Sequence, residues 1–194
     1  NTFISQIQTI LSGNGIGQKS VRLNVTRSLS RLKSVFVTLF KTPPTDNANI
    51  GRKKWNTFYS PMLSQNPKGG GSWEKGAFEF QLQLGSKLYP EYPIRSHAES
   101  FYQLRNTLGT HSIKHNTVNI GSESYRANKF IIGIDTERVL EAGFTGMNTR
   151  AGDILNLRFD HAGNTAARWA TGMQIVLHSD QIMEIRDGGV TVFD

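Results

Sequence analysis

Phe78-Glu79-Phe80-Gln81-Leu82-Gln83-Leu84 alternates apolar and polar side chains without a break. A period of two sends successive side chains to opposite faces of an extended chain, so this stretch predicts a strand with one buried face and one polar face. Val21-Arg22-Leu23-Asn24-Val25-Thr26 repeats the pattern with smaller residues. Val35-Phe36-Val37-Thr38-Leu39-Phe40 is nearly continuous in apolar residues, as expected of a strand covered on both faces. Less regular strand candidates are residues 3–11, 129–135, 153–160, 172–178, 182–186 and 190–193.

The connections agree with a sheet protein. Asp187-Gly188-Gly189 between two short strands favours a tight hairpin, since glycine supplies the positive φ such turns require. Pro43-Pro44-Thr45-Asp46-Asn47 stops the apolar run, and Asn66-Pro67-Lys68-Gly69-Gly70-Gly71-Ser72 reads as a flexible surface loop. Eight or nine short strands separated by turn signals imply an all-β, antiparallel β-sandwich or barrel.

One helix interrupts the strands. Ser96-His97-Ala98-Glu99 is a capping box, in which the Ser96 hydroxyl accepts from the Glu99 N–H and the Glu99 carboxylate reaches back to the Ser96 N–H. Ala98, Phe101, Leu104, Arg105 and Leu108 then follow at helical spacing, and Gly109 supplies the stop. This predicts a three-turn helix laid on a sheet edge. Pro90 and Pro93 keep residues 89–94 extended. A second short helix is expected over residues 136–142, capped by Asp135 or Thr136 and ended by Gly143.

The chain has 194 residues, 37% of them hydrophobic and 19% charged, enough for one domain with a sizeable core. No window is long and apolar enough for a membrane-spanning helix. There are no cysteines, which removes disulfides, thiolate metal sites and cysteine nucleophiles. The chain starts at Asn1 with no basic and apolar leader, as expected of a processed chain or an excised piece. Its net charge of +7 is unevenly placed. Residues 1–72 hold ten Lys and Arg against Asp46 alone, a net +9, while residues 73–194 come to −2. A surface of that sign suits phosphates, an acidic neighbour or plain solvation. Arg22, Arg27, Arg31, Lys33, Arg52, Lys53 and Lys54 are the residues through which nonspecific contact with DNA would run.

The candidate catalytic and ligand motifs fail on spacing. Ser12-Gly13-Asn14-Gly15-Ile16-Gly17-Gln18-Lys19-Ser20 has Gln18 where a Walker loop needs lysine and a dinucleotide loop needs glycine; a glycine-rich hairpin loop fits better. His111 and His115 are four apart but follow the Gly109 stop and have no third ligand nearby. His178-Ser179-Asp180 holds the residue types of a triad, yet neighbours on a strand face opposite ways and cannot relay a proton to one another. Asp153, Asp160, Glu137 and Glu141 read as carboxylates that flank strands and meet solvent. Trp55, Trp73 and Trp169, with Tyr59, Tyr89 and Tyr92, are scattered along the chain, which weakens a stacking platform. No catalytic residue, cofactor site or metal site is expected, and the chain does not read as an enzyme.

Residues 82–105 continue as Leu-Gln-Leu-Gly-Ser-Lys-Leu-Tyr-Pro-Glu-Tyr-Pro-Ile-Arg-Ser-His-Ala-Glu-Ser-Phe-Tyr-Gln-Leu-Arg. This string is similar to one in major capsid proteins of double-jelly-roll viruses, those of the Polinton-like, adintovirus-like and virophage-like elements. Tyr125-Arg126-Ala127-Asn128-Lys129-Phe130-Ile131-Ile132-Gly133-Ile134-Asp135, Thr149-Arg150-Ala151-Gly152-Asp153 and Glu184-Ile185-Arg186-Asp187-Gly188-Gly189-Val190-Thr191-Val192 also resemble that family. The resemblance covers about residues 20–194 and is strongest from Gln81 onward.

It implies a jelly roll of two four-stranded antiparallel sheets, spanning 1–194 as the C-terminal half of a capsid subunit. Three such subunits form a pseudo-hexagonal capsomer of an icosahedral shell, assembled inside the host cell and located in the virion. The partners it implies are further copies and a companion jelly-roll domain or other capsid proteins. The chain departs from the family in supplying one jelly roll where two are expected. Large side chains crowd the prolyl segment and the helix, so Tyr89, Tyr92, Arg95, Phe101, Tyr102 and Arg105 are the expected interface anchors. The alternatives are a basic β-sandwich that binds nucleic acid through the first third, or one that binds carbohydrate.

Overall fold

The computed structural model describes residues 2–9, 19–40, 58, 60, 77–109, 120–137, 146–150, 154–162, 172–186 and 188–193. They form ten strands and two helices in the order β1 (Thr2–Thr9), β2 (Lys19–Val25), β3 (Leu32–Phe40), β4 (Ala77–Leu84), β5 (Lys87–Ile94), α1 (His97–Thr107), α2 (Ser122–Asn128), β6 (Ile131–Asp135), β7 (Leu155–Ala162), β8 (Gly172–Ser179), β9 (Ile182–Arg186) and β10 (Gly189–Phe193). One four-stranded sheet runs β1-β8-β3-β6 and the other β2-β7-β4-β5, both antiparallel, while β9 and β10 form a separate two-stranded sheet. The expected all-β antiparallel architecture is present.

The pairings nest. β1 pairs with β8, β2 with β7, β3 with β6 and β4 with β5, so the first eight strands make an antiparallel ribbon turned at Gly85. The cross-pairs β3–β8 and β4–β7 then gather this ribbon into two sheets. Alternation decides which side chains lie between them. Phe78, Phe80, Leu82 and Leu84 of β4, Leu155, Leu157 and Phe159 of β7, Val35, Val37 and Leu39 of β3, and Met173, Ile175 and Leu177 of β8 belong to a single buried core. Thr38 and Ser34 on the other face of β3 are buried as well, in line with a strand covered on both sides.

The nested pairing corrects one expectation. The glycine-rich stretch after β1 does not close a β1–β2 hairpin, because the two strands belong to different sheets and each takes a late strand as partner. Residues 10–18, like 43–47, 66–72, Arg52, Lys53, Lys54, Tyr59, His111, His115, Glu141, Asp153 and the three tryptophans, lie outside the described residues.

The helix α1 forms where its cap predicts. The Glu99 N–H donates to the Ser96 hydroxyl at 3.2 Å, Ser96 is extended at φ −131, and Gly109 follows the last turn at φ 67. Two details differ. The Glu99 carboxylate accepts from the Arg95 N–H at 3.0 Å, one residue before Ser96. The buried stripe passes through His97, Ser100 and Leu104, while Ala98 and Leu108 are exposed. The helix is rotated because His97 hydrogen-bonds Ser60 inside the protein and Leu104 sits on Gly133 of β6, where an added Cβ would lie 3.1 Å from the leucine Cδ1.

The second described helix is α2, which the sequence pattern did not predict. Thr136 and Glu137, at the start of the expected one, are not helical: Thr136 instead donates its hydroxyl to the Leu32 carbonyl at 2.7 Å and its N–H to that of Lys33 at 2.9 Å. Residues 138–142 lie outside the described residues.

Candidate functional site

The prolyl segment and α1 carry the six expected anchors, and the geometry sorts them. In β5 the ladder to β4 runs Leu84↔Lys87, Gln83↔Leu88 and Leu82↔Tyr89, then shifts register before Phe80↔Ile94. Proline has no N–H to donate, so the ladder opens at Pro90 and Pro93. The Gln81 side-chain amide fills the gap by donating to the carbonyls of Pro90 and Glu91 at 2.9 and 3.0 Å. Tyr89, opposite Leu82, is half-buried against the core. Phe101 is half-buried too, its ring edge-on to Tyr125 at 5.0 Å.

Tyr92 and Tyr102 are the exposed aromatics of the set, at 77% and 62%. Arg95 is exposed and its Nε donates to the Glu79 carboxylate at 2.9 Å. Arg105 is half-buried. Tyr92, Arg95 and Tyr102 therefore face solvent, whereas Tyr89 and Phe101 brace the sandwich.

Among the described basic residues of the first third, Arg22 and Lys33 are engaged by carboxylates of the same chain. Arg22 makes a two-pronged contact with Asp160, both nitrogen–oxygen distances 2.9 Å, and this holds the Asp160 carboxyl below its ordinary range. Lys33 bridges Glu137 at 2.9 Å and Asp180 at 3.2 Å, and the bond to Glu137 leads the causes that raise its pKa. Arg31 is half-buried. Arg27 is exposed and lines a cleft of about 370 Å³ with Asn24, Thr26, Ser28, Arg150 and Ile154. A phosphate-binding face built on this set thus loses Arg22 and Lys33 to their carboxylates.

His178, Ser179 and Asp180 form no relay with one another: His178 and Asp180 turn to different neighbours. The His178 Nδ1 lies 3.1 Å from the Ser34 hydroxyl on the adjacent strand, Ser179 is buried, and Asp180 holds Lys33. Among the described residues no group of three or more His, Asp or Glu is placed to hold a metal ion. No described helix is long and apolar enough to cross a membrane.

Burial holds the His178 imidazole below its ordinary range, with the nearby Lys33 charge second. As pH falls the unfolded chain takes up this proton first, so the stability tied to the neutral ring is full above about pH 6.5 and declines as pH drops through the folded value. Asp135, raised mainly by burial, acts in the opposite sense. We expect the melting temperature to fall more between pH 7 and pH 5 in the native chain than in His178→Gln, measured by circular dichroism. Parallel curves for the two proteins would remove the assignment.

The signal the sequence reading missed lies at the C-terminal end. Met183, Ile185, Val190 and Val192 are 60%, 72%, 59% and 54% exposed on the β9–β10 hairpin. Their alternation was visible in the sequence and marked the strands, but alternation alone does not tell a buried face from a bare one. Searches with this chain match no family model, no curated protein and no solved structure.

Proposed function

We propose that the chain is a structural subunit of an icosahedral viral capsid, a jelly roll that assembles into capsomers, most simply trimers of pseudo-hexagonal outline. The observation that carries this reading is the nested strand pairing, β1 with β8, β2 with β7, β3 with β6 and β4 with β5, gathered into sheets β1-β8-β3-β6 and β2-β7-β4-β5. A four-pair antiparallel ribbon rolled in this way is how eight strands wind into a jelly roll, an architecture used by capsid proteins, lectins and cupins.

Architecture alone does not choose among these functions. The cupin use requires a paired-histidine strand motif that the sequence lacks. The similarity of residues 82–105 to capsid proteins favours the first use, and the exposed Tyr92 and Tyr102 supply aromatic surface of the kind interfaces employ. The engagement of Arg22 and Lys33 by carboxylates favours assembly over a dedicated nucleic-acid surface.

Negative-stain electron microscopy with light scattering on the purified chain tests the reading. Trimers, hexagonal capsomers or shells are expected at micromolar concentration, alone or with a companion jelly-roll chain added. A monodisperse monomer under both conditions overturns it.

A further inference from the structure

β2 ends at Val25, which is paired with Leu155 at the start of β7. Both are buried, and so is Leu29 four residues on. Leu29 is pinned by Thr149: its N–H donates to the Thr149 hydroxyl at 2.7 Å, and its carbonyl accepts the Thr149 N–H at 2.8 Å. Thr26, Arg27 and Ser28 therefore form a short arch held at both ends by buried residues, with all three exposed. The cleft of about 370 Å³ beside the arch is also lined by Asn24, Arg150 and Ile154. The Arg150 N–H donates to the Asn148 side-chain oxygen at 2.8 Å and its guanidinium donates to the Ser30 hydroxyl at 3.3 Å, while Ile154 is 57% exposed.

The charge of this lining is unbalanced. Arg22, Arg95 and Arg186 hold carboxylates at 2.9, 2.9 and 2.6 Å, but among the described residues no carboxylate lines the cleft and none pairs with Arg27. Two guanidinium groups, the Thr26 and Ser28 hydroxyls and the Asn24 carboxamide thus border one concavity. It carries two positive charges and, among the described residues, no negative one.

We propose that the cleft binds a phosphomonoester, its phosphoryl group held by Arg27 and Arg150 and its organic body lying on Ile154. A guanidinium meets phosphate oxygens with two parallel N–H groups. A carboxylate brings one negative charge and two oxygens to such a site, whereas a phosphomonoester at neutral pH brings close to two charges and three strongly accepting oxygens. The cleft is of small-molecule size, within the usual range of about 300–1,000 Å³, so a group larger than inorganic phosphate fills it. Val25, Leu155 and Ile154 supply apolar surface for that group. Because the arch is fixed at Val25 and Leu29, little ordering is needed when the ligand arrives. The site does not rest on the capsid reading, and each stands if the other fails.

Isothermal titration calorimetry on the full chain in about 50 mM salt, where screening at an exposed site is weak, tests this with phenyl phosphate as the probe. A Kd below about 1 mM is expected. Inorganic phosphate should bind at least about threefold more weakly for want of the apolar body, and benzoate at least about tenfold more weakly for want of the second charge. Arg27→Gln should weaken phenyl phosphate at least about tenfold, and Arg27→Lys at least about threefold, because a point charge replaces the fork. Arg22→Gln removes the same charge from the same strand and should leave the affinity unchanged. Arg27 is exposed, so the melting temperature of Arg27→Gln should match that of the native chain and separate lost binding from lost folding.

No binding of phenyl phosphate at about 10 mM, or binding that Arg27→Gln leaves intact, overturns the site. Benzoate bound as tightly overturns the phosphoryl class, and inorganic phosphate bound as tightly overturns the organic body. A chain that ignores phenyl phosphate but takes up a short single-stranded DNA, with equal losses in Arg22→Gln and Arg27→Gln, carries a diffuse nucleic-acid surface, which also overturns the cleft.

Discussion

Phe130→Ala is expected to destabilise the protein by about 3–5 kcal/mol and to lower its melting temperature by roughly 10 °C. Phe130 has no exposed surface. Its ring meets Phe78 of β4 edge-on at 5.7 Å, His97 of α1 edge-on at 5.6 Å and Tyr125 of α2 at 5.4 Å, so one side chain joins a core strand to both helices. The backbone around it is also fixed: its N–H donates to the Phe58 carbonyl at 3.2 Å, and the Phe58 N–H donates to that of Asn128 at 3.0 Å. Truncation leaves a cavity walled by three rings.

Those rings cannot close the space. His97 is hydrogen-bonded to Ser60, and the Tyr125 hydroxyl donates to the Ile131 carbonyl at 2.7 Å. Phe130→Leu, which keeps most of the volume, should cost less than half as much. Thermal denaturation followed by circular dichroism decides this, and a loss below about 1 kcal/mol for the alanine variant would mean that the three rings do collapse inward.

The same cluster shows where the sequence was legible and where it was not. Alternation in β2 and β4 located those strands because each turns one face of apolar side chains to the core. The cap at Ser96 located α1, since capping is local. The buried stripe of α1 was not legible, because His97 and Ser100 are polar, and His97 is made a core residue by Ser60, 37 positions earlier.

The helix α2 escaped for a related reason: it is seven residues long, its Gly121 cap makes no side-chain bond, and Tyr125 is its buried residue, so no apolar period exists to be read. Glu123 in its first turn and Arg126 in its last are the faint signals it left. Non-local pairing set the remaining limits. Nothing within residues 2–25 says that β1 and β2 will part to different sheets, because their partners lie beyond residue 154.

Of the expected anchors, Tyr92, Arg95 and Tyr102 are on the surface and Tyr89 and Phe101 serve the core's edge. An aromatic beside a proline was predictable there, but the side of the strand it would occupy was not. The register shift in β5, bridged by the Gln81 amide, breaks the period-two rule at that place.

Gly146→Ala is the other substitution for which a large loss is expected, about 2–4 kcal/mol, although it adds a single methyl group. Gly146 has φ 157, where a side chain is strained, and a Cβ there would lie 2.9 Å from the Arg31 carbonyl carbon, 3.0 Å from its Cα and 3.1 Å from the Leu32 oxygen. These are backbone atoms and cannot rotate away. Directly beside them Leu32 and Met147 exchange two backbone hydrogen bonds, at 2.9 and 2.8 Å, and Thr149 closes the same strip by donating its N–H to the Leu29 carbonyl at 2.8 Å and accepting the Leu29 N–H at 2.7 Å. The methyl group would push residues 146–149 away from 29–32 and open the entry to β3. There Leu32 is fully buried, the ladder to β8 shifts register, and Lys33 is held between its two carboxylates. Amide hydrogen exchange should therefore speed up at Leu32 and Met147 before the rest of β3, with the lowered melting temperature as the global readout. Gly121→Ala is the comparison, since nothing lies within 4 Å of its Cβ position, and its change should stay below about 1 kcal/mol, the cost of replacing the glycine cap of α2. Equal melting of the two alanine variants would show that the 146–149 strip yields at no cost, and would remove it as a fixed element at the entry to β3.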